Sequence, residues 1–417
     1  MATSRMAVRL GRSSLLAILA VFGFQAICDG QVSIQQPALD SLVSEAARWH
    51  SDALVIWKDG KPYGEWYFGN PPKKIDAMSA TKSVVSLAIG RLITDGTLKS
   101  VDQPVCEFYP EWKQGRKQTI TIRHLLTHTS GLQNLLRTDK EIDPSPDHVQ
   151  LALAAELSAE PGMTFLYNNK AVNLLAGIVQ KASGKRMDLF LRDTLFTPMG
   201  ITNVSWVLDD AGNPYGMSGL KILPADFARI GQLVLNRGAW SGQQLIAESW
   251  LDLSMRPGQE QNQTCGLLWW LIPDRAAYVI DDAQIHKLEA KGMRADFVEK
   301  VRQLKGRYET HEAYAAALEK VFGPDWRTDL SLASHPELAS VLRPSSGGIS
   351  RIECGRTIAW VAAGYLGQYL VIVPSANLVA VRMIARDHAQ GEADTYRRFP
   401  EMVLKLVNLG YTPIFGE

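Results

Sequence analysis

The sequence predicts an α+β protein, in which one antiparallel sheet is assembled from both ends of the chain, flanked by terminal helices, and set beside a mostly helical subdomain. Strand-like alternation occurs within residues 53–68 and again between 265 and 384. Helical periodicity dominates residues 99–250, and helical patterns also stand at the two margins. The expected division is a sheet domain from 29–98 and 251–417, a helical subdomain from 99–250, and a helical insertion at 285–342.

Residues 1–28 read as a secretory signal: Arg5, Arg9 and Arg12 precede an apolar run that ends at Cys28 and gives way to Asp29-Gly30-Gln31. The run falls short of the roughly 20 residues that span a bilayer, so cleavage after Cys28 is expected rather than a permanent membrane span. Acylation of Cys28 as a lipoprotein is the alternative, although Ile27 is bulky where a small residue is wanted. Either route makes the mature chain secreted or periplasmic.

The mature chain opens with an amphipathic helix over 39–49, apolar at Leu39, Leu42, Val43, Ala46 and Ala47. Two alternating runs, 53–57 and 63–68, flank Asp59-Gly60-Lys61 as a hairpin. After Pro71-Pro72, residues 79–94 read as a buried helix that stops at Asp95-Gly96. Helices are expected over 121–127, 148–157, 171–182, 187–195 and 224–236, with few strands among them. Strands return at 265–271 and 357–384, the latter turning at Pro374-Ser375-Ala376-Asn377, and a helix over 394–407 closes the chain.

With 46% hydrophobic and 21% charged residues, a chain of 417 can bury one large core or two smaller ones. Lysine plus arginine (44) balances aspartate plus glutamate (43), so no basic field exists for a phosphate backbone and nucleic acid is excluded as a partner. Without Cys28, three cysteines remain, Cys106, Cys265 and Cys354, and an odd number cannot all pair. A Cys265–Cys354 disulfide is expected, since both flank the insertion; three buried thiols are the alternative.

Ser79-Ala80-Thr81-Lys82 stands at the start of the buried helix. Three positions on a helix return nearly to one face, so the Lys82 amine can lie beside the Ser79 hydroxyl. A serine is a weak nucleophile until a base takes its proton, and burial disfavours a charged lysine, which makes it a usable base. The helix terminus adds backbone donors and a positive dipole for charge developing on an attacked carbonyl.

Tyr167-Asn168-Asn169 follows Pro161-Gly162 and precedes the helix over 171–182. A phenol set against a lysine can shuttle a proton between nucleophile and leaving group, and the Asn169 amide can orient a substrate carbonyl and the lysine. Taken singly, these three residues are more often only a turn. His124 and His128, four apart, could face a zinc ion, yet Leu125 stands where the zinc-protease motif has glutamate, and no metal is expected. Neither a Gly-x-Ser-x-Gly elbow nor a glycine-rich phosphate loop is present, and no cofactor is expected.

In this order, these segments resemble the serine β-lactamase and penicillin-binding superfamily, in particular its class C β-lactamase and carboxylesterase-like branch. Ser79-x-x-Lys82 matches the first motif and Tyr167-x-Asn169 the second; residues 120–132, 161–184 and 218–238, the last containing Asp226-Phe-Ala-Arg229, are similar to its framework. The resemblance covers about 39–410 apart from the insertion and implies a β-lactamase/transpeptidase-like fold, with Ser79, Lys82 and Tyr167 catalytic and Asn169 at the substrate. The third motif, a strand bearing lysine or histidine, a small residue and glycine, aligns with Ala362-Ala363-Gly364. Its cation is missing. In penicillin-directed members that cation helps to bind the substrate carboxylate, so its absence favours an uncharged ester or amide. The same alignment implies an oxyanion hole made by the backbone N–H groups of Ser79 and Tyr365.

The resemblance thus implies a two-step acyl transfer on a small-molecule ester, amide or peptide, with an esterase or amidase ranked first. A β-lactamase or D-Ala-D-Ala carboxypeptidase is one alternative, and a non-catalytic sensor or cell-wall receptor another. A receptor needs no proton relay, and the chain keeps all three members of one. Trp269 and Trp270, adjacent on a strand, should point to opposite faces, so at most one is expected at the cleft. Asp226 and Arg229 read as a clamp on their helix, and His128 as a brace for its loop. The insertion, dense in charge over 287–302, reads as a solvated helical hairpin or as a lid. No sequence feature indicates the oligomeric state.

Overall fold

The structure, a computed structural model, describes residues 32–135, 137–290, 292–324, 349–391 and 395–410. The signal reading of residues 1–28, and the part of the insertion beyond 324, lie outside the described residues. Among the described residues no helix is long and apolar enough to cross a membrane.

Helix α1 (Gln36–Arg48) leads into the hairpin of β1 (Ala53–Lys58) and β2 (Lys61–Trp66). Asp59 and Gly60 turn it with φ of 53° and 76°. A short strand β3 (Ile75–Asp76) precedes a 3-10 turn, Met78–Ala80, and then α2 (Thr81–Thr94). Ser79 therefore lies in the turn ahead of the α-helix rather than inside it. Residues 81–90 of α2 are all buried, the polar Thr81, Lys82, Ser83 and Ser86 among them.

The middle of the chain supplies α3 (Ile122–Leu126), α4 (His148–Ala154), α5 (Asn169–Ser183) and α6 (Met187–Leu191). Strands β4 (Val204–Trp206) and β5 (Leu220–Ile222) pair with β3 in the order β3-β5-β4, a small sheet that the periodicity does not reveal because each strand has only two or three residues. Helix α7 (Pro224–Leu235), the hairpin β6 (Ala239–Trp240) and β7 (Gln243–Gln244), and α8 (Glu248–Ser254) follow.

Six strands form the main sheet. Strand β8 (Trp270–Pro273) begins later than the 265–271 pattern suggests, because Leu268 takes φ of 62° and only Cys265 and Trp270 bridge across the turn. After the inserted segment come β12 (Thr357–Gly364), β13 (Gln368–Val373) and β14 (Leu378–Met383), in the antiparallel order β2-β1-β14-β13-β12-β8. The last helix, α12, is limited to Phe399–Lys405. Pairing of Val55 with Val381 joins the N-terminal hairpin to the last strand, so the two chain ends build one sheet as expected.

Alternation along β1 sends Leu54 and Ile56 to one face, where they pack with Leu39 and Leu42 of α1 and Phe399 and Val403 of α12. Val55 turns to the other face, together with Val379 and Val381, and meets the core around α2 and α7. Helix α7 lies directly on the strands: a β-carbon at Gly231 would come within 2.6 Å of a Val379 methyl and 2.7 Å of a Leu370 methyl. Only glycine permits that approach.

The segment between β8 and β12 differs from the expected helical hairpin. It contains β9 (Ala276–Ile280), α9 (Asp282–Ala290), α10 (Ala295–Arg302), β10 (Gly306–Tyr308), α11 (His311–Phe322) and β11 (Arg351–Cys354), the strands ordered β10-β9-β11. Strand β9 is buried at all five positions, so it lacks the alternation that marks a half-exposed strand. Tyr278, Ile285, Val301, Tyr314 and Leu318 give the segment a core of its own, and the Tyr278 and Tyr314 rings stack 4.5 Å apart.

The expected Cys265–Cys354 disulfide does not form: Cys106, Cys265 and Cys354 are all free thiols. Cys265 is buried, its thiol donating to the Gly266 carbonyl, while Cys354 sits in β11 opposite Ala276. Sequence spacing carries no information on that separation.

Candidate active site

The turn that presents Ser79 is fixed from three sides. The Asp76 carboxylate accepts from the backbone N–H of Met78 at 2.7 Å and of Gly219 at 3.3 Å. Ala77 N–H donates to the Leu220 carbonyl, and Leu220 N–H donates to the Thr81 hydroxyl. Met78 pays with a left-handed φ of 48°, a conformation that persists only where the surroundings over-determine it.

Lys82, one turn later, is buried, and its Nζ lies 2.9 Å from Ser79 Oγ. The same nitrogen donates to the Met217 carbonyl at 2.7 Å. Burial holds the Lys82 amine well below its ordinary value of 10.5. Met217 is itself held, because its N–H donates to Asn173 Oδ1 at 3.0 Å. Asn173 sits one helical turn beyond Asn169, on α5.

Tyr167 closes the group, lining the same cavity as Ser79 and Lys82. Burial pushes its phenol up to about 12, against the opposing effect of the Ser79 hydroxyl, so it carries its proton at neutral pH. The ring stacks on Trp270 at 6.2 Å and 14°, lies 4.7 Å from the His128 ring, and has Lys82 Nζ 4.9 Å from its centroid. Asn168 caps α5 by accepting from Ala171 N–H and donates to the Leu132 carbonyl, which fixes the backbone on which Tyr167 stands.

His128 lines the same cavity. Its Nδ1 accepts from Asn168 N–H at 3.1 Å, which leaves the proton on Nε2. Burial, then the neighbouring Lys82, depresses it to about 3, so the ring is neutral. It braces the turn before α5 and touches the reacting group as well.

Ser79, Lys82, Ser83, His128, Tyr167 and Ala363 surround a cavity of only about 10 Å³, with Cys265, Leu268, Trp269 and Trp270 closing its far side. Both tryptophans line it, contrary to the expectation that at most one would. The alternation argument fails because the left-handed Leu268 and the bridge between Cys265 and Trp270 place Trp269 in a turn, outside the regular strand.

The structure brings Gly364 against the turn that holds Ser79: a β-carbon there would stand 2.4 Å from the Ala77 carbonyl oxygen and 3.0 Å from Ser79 N. Ala363 faces the cavity, whereas Ala362 is fully buried in the main core. Tyr365 begins a 3-10 turn, Tyr365–Gly367, with its side chain exposed. Asn169 N–H donates to Asn134 Oδ1, and its own buried Oδ1 has no hydrogen-bond partner among the described residues. Asp226 and Arg229 form an ion pair at 2.7 Å on α7.

Met217 and Asn173, absent from the sequence reading, form the lysine's support. Asn173 could have been suspected from its place four residues after Asn169; a backbone carbonyl such as that of Met217 leaves no trace in a sequence.

The Beta-lactamase family model matches residues 39–400. Esterase EstB of Burkholderia gladioli is 29% identical over 151 residues, which cover 31% of this chain and 37% of that protein. Protein flp of Staphylococcus aureus (strain COL) is 26% identical over 171 residues, 37% of this chain and 34% of that protein. The chain spans little more than a third of the length of the curated relatives it matches. A penicillin-binding protein homolog from Caulobacter crescentus superposes with a TM-score of 0.56 at 12% identity, covering 89% of this chain and 98% of that one, a likeness of fold.

Proposed function

The chain belongs to the Beta-lactamase family, with its α+β transpeptidase-like fold, and from that premise we propose that it is a serine hydrolase cleaving a small uncharged ester or amide through an acyl-enzyme on Ser79. One observation carries this reading: a buried amine lies 2.9 Å from a serine hydroxyl and 4.9 Å from the centre of a phenol ring. The neutral Lys82 amine takes the Ser79 proton as Oγ bonds to the substrate carbonyl carbon. The resulting ammonium keeps its bond to the Met217 carbonyl and lies against the Tyr167 ring. As the tetrahedral intermediate collapses, the carbon–leaving-group bond breaks, Tyr167 gives its proton to the leaving group and recovers one from Lys82. Water then attacks the acyl-enzyme by the same relay, releasing the acid and free Ser79.

The negative charge on the attacked oxygen falls to the backbone N–H groups of Ser79 and Tyr365, a role supported by the close packing of Gly364 on Ser79. Lys82 is the only cation lining the cavity among the described residues, and the alanines at 362 and 363 offer nothing to a substrate carboxylate. That favours an uncharged substrate over a penicillin. Export to the periplasm or beyond belongs to the same proposal, supported by Arg5, Arg9 and Arg12 ahead of the apolar run at the N-terminus.

The test is Ser79→Ala. Turnover of short-chain aryl esters should fall by at least about 10⁴-fold with the melting temperature preserved, and a small alkyl fluorophosphonate should add its mass to the Ser79 peptide of the wild type alone. Unchanged ester turnover in the variant would refute the assignment, and efficient nitrocefin cleavage by the wild type would move it to the β-lactamases.

A further inference from the structure

The cavity beside Ser79 has room for about one water molecule. A group larger than that enters only by widening the opening, and the walls differ in what they allow. Lys82, Ser83, His128, Cys265, Leu268 and Trp269 are buried, whereas Ser79, Tyr167, Trp270 and Ala363 reach solvent. The opening is thus bounded by the nucleophile, the phenol, one indole and the edge of β12.

The backbone behind that indole cannot retreat. The Leu268 carbonyl accepts from Ser83 Oγ at 2.7 Å, and Ser83 belongs to α2, one turn beyond Ser79. Leu268 N–H donates to the Leu126 carbonyl, Gly266 N–H to the Trp269 carbonyl, and Leu271 N–H to the Thr264 carbonyl. Trp270 also pairs with Val361 of β12. The loop over 265–271 is tied to α2, which follows the Ser79 turn, on one side and to β12 on the other. Tyr167 holds the reacting proton, and Ala363 has only a methyl group to move. With that backbone held, rotation of the partly exposed Trp270 side chain, whose ring lies 6.2 Å from that of Tyr167, is the movement that gains space at the opening.

We propose that Trp270 is the specificity-determining wall of this site and restricts it to uncharged esters of short, unbranched acyl chains. This rests on the acyl-transfer reading above. On this proposal the rotating indole opens a slot of limited depth for the acyl chain, and a methylene group that does not fit such a slot costs roughly 10- to 200-fold in kcat/KM. A terminal carboxylate on the acyl chain would meet apolar walls.

The experiment measures kcat/KM for p-nitrophenyl acetate, butyrate and octanoate, and for the hemisuccinate as a charged counterpart of butyrate, with the full-length wild type, Trp270→Phe and Trp270→Ala. The wild type should prefer acetate over octanoate by at least about 100-fold and reject the hemisuccinate. Trp270→Ala should compress the acetate-to-octanoate ratio by at least about tenfold, with Trp270→Phe in between. A merely structural tryptophan would lower all chain lengths alike and leave the ratio unchanged, which would overturn the proposal, as would a wild type that takes octanoate as readily as acetate. Fluorophosphonate labelling separates the two levels: an unlabelled Ser79 removes the acyl-enzyme and this inference with it, while a labelled Ser79 with an unmoved ratio sinks the role of Trp270 alone.

Discussion

Gly364 and Ser79 touch backbone to backbone: a β-carbon on the glycine would sit 3.0 Å from the serine nitrogen, the same N–H that is proposed to receive the oxyanion. The φ of Gly364 is −135°, ordinary for a strand, so space alone demands glycine here. Gly364→Ala should push β12 away from the nucleophile's turn, lowering kcat by about 10²-fold or more and stability by roughly 1–3 kcal/mol. Steady-state kinetics alongside urea unfolding checks both, and an alanine variant with unaltered kcat would remove β12 from the oxyanion site.

Lys82→Met should abolish turnover and stabilise the fold by roughly 1 kcal/mol, because it exchanges a buried amine for an apolar chain of similar length. The sign follows from linkage. Burial depresses the folded-state value, so the unfolded chain holds a proton that the folded chain does not in the window between that value and 10.5. Stability therefore rises with pH across the window, and the gain from methionine is largest at its acid end and fades above 10.5. Thermal melts of both proteins across a pH series test this.

The wild-type rate should climb with pH as Lys82 loses its proton, with a midpoint well below 10.5, and then stay level to about pH 10 because the phenol of Tyr167 is pushed up to about 12. A kcat/KM profile that falls between neutrality and pH 10 would contradict the assignment of lysine as base and tyrosine as proton carrier.

Tyr167→Phe keeps the ring that packs against His128, Trp270 and Lys82 and removes only the hydroxyl. A drop in kcat of about 10²- to 10⁴-fold with little change in melting temperature is expected. Equal losses of activity and stability would mark the residue as scaffold.

The closeness of Ser79, Lys82 and Tyr167 was legible because its signals are local. A spacing of three positions across the 3-10 turn and the first turn of α2 brings hydroxyl and amine together, and Asn168 announces the start of α5 as a helix cap should. The main sheet was legible for a related reason: β1, β13 and β14 alternate or run apolar over six residues each. What stayed hidden depends on tertiary detail. Trp269 reaches the cavity through one left-handed residue, Leu268. Met217 contributes a carbonyl oxygen. Strand β9 is buried on both faces, so its five residues look like a piece of any core.

Arg382, fully buried in β14, donates to the carbonyls of Leu366, Gly367 and Trp49 and to the Ser51 hydroxyl. It thereby holds the Tyr365–Gly367 turn, whose Leu366 carries a φ of 63°. Arg382→Met should cost roughly 3–5 kcal/mol by leaving buried carbonyls without donors, and Arg382→Lys should recover only part of it, lacking the planar fork. Chemical denaturation of the three proteins decides whether this guanidinium is the fastening it resembles.

Ser51 and Arg382 lie 331 residues apart in the chain, yet they meet where the first and last strands of the main sheet join. A ribosome must therefore deliver nearly the whole polypeptide before the central sheet can close, and contacts of such range form slowly. Until then β12 has no settled place beside Ser79, and the half-made molecule cannot cut anything.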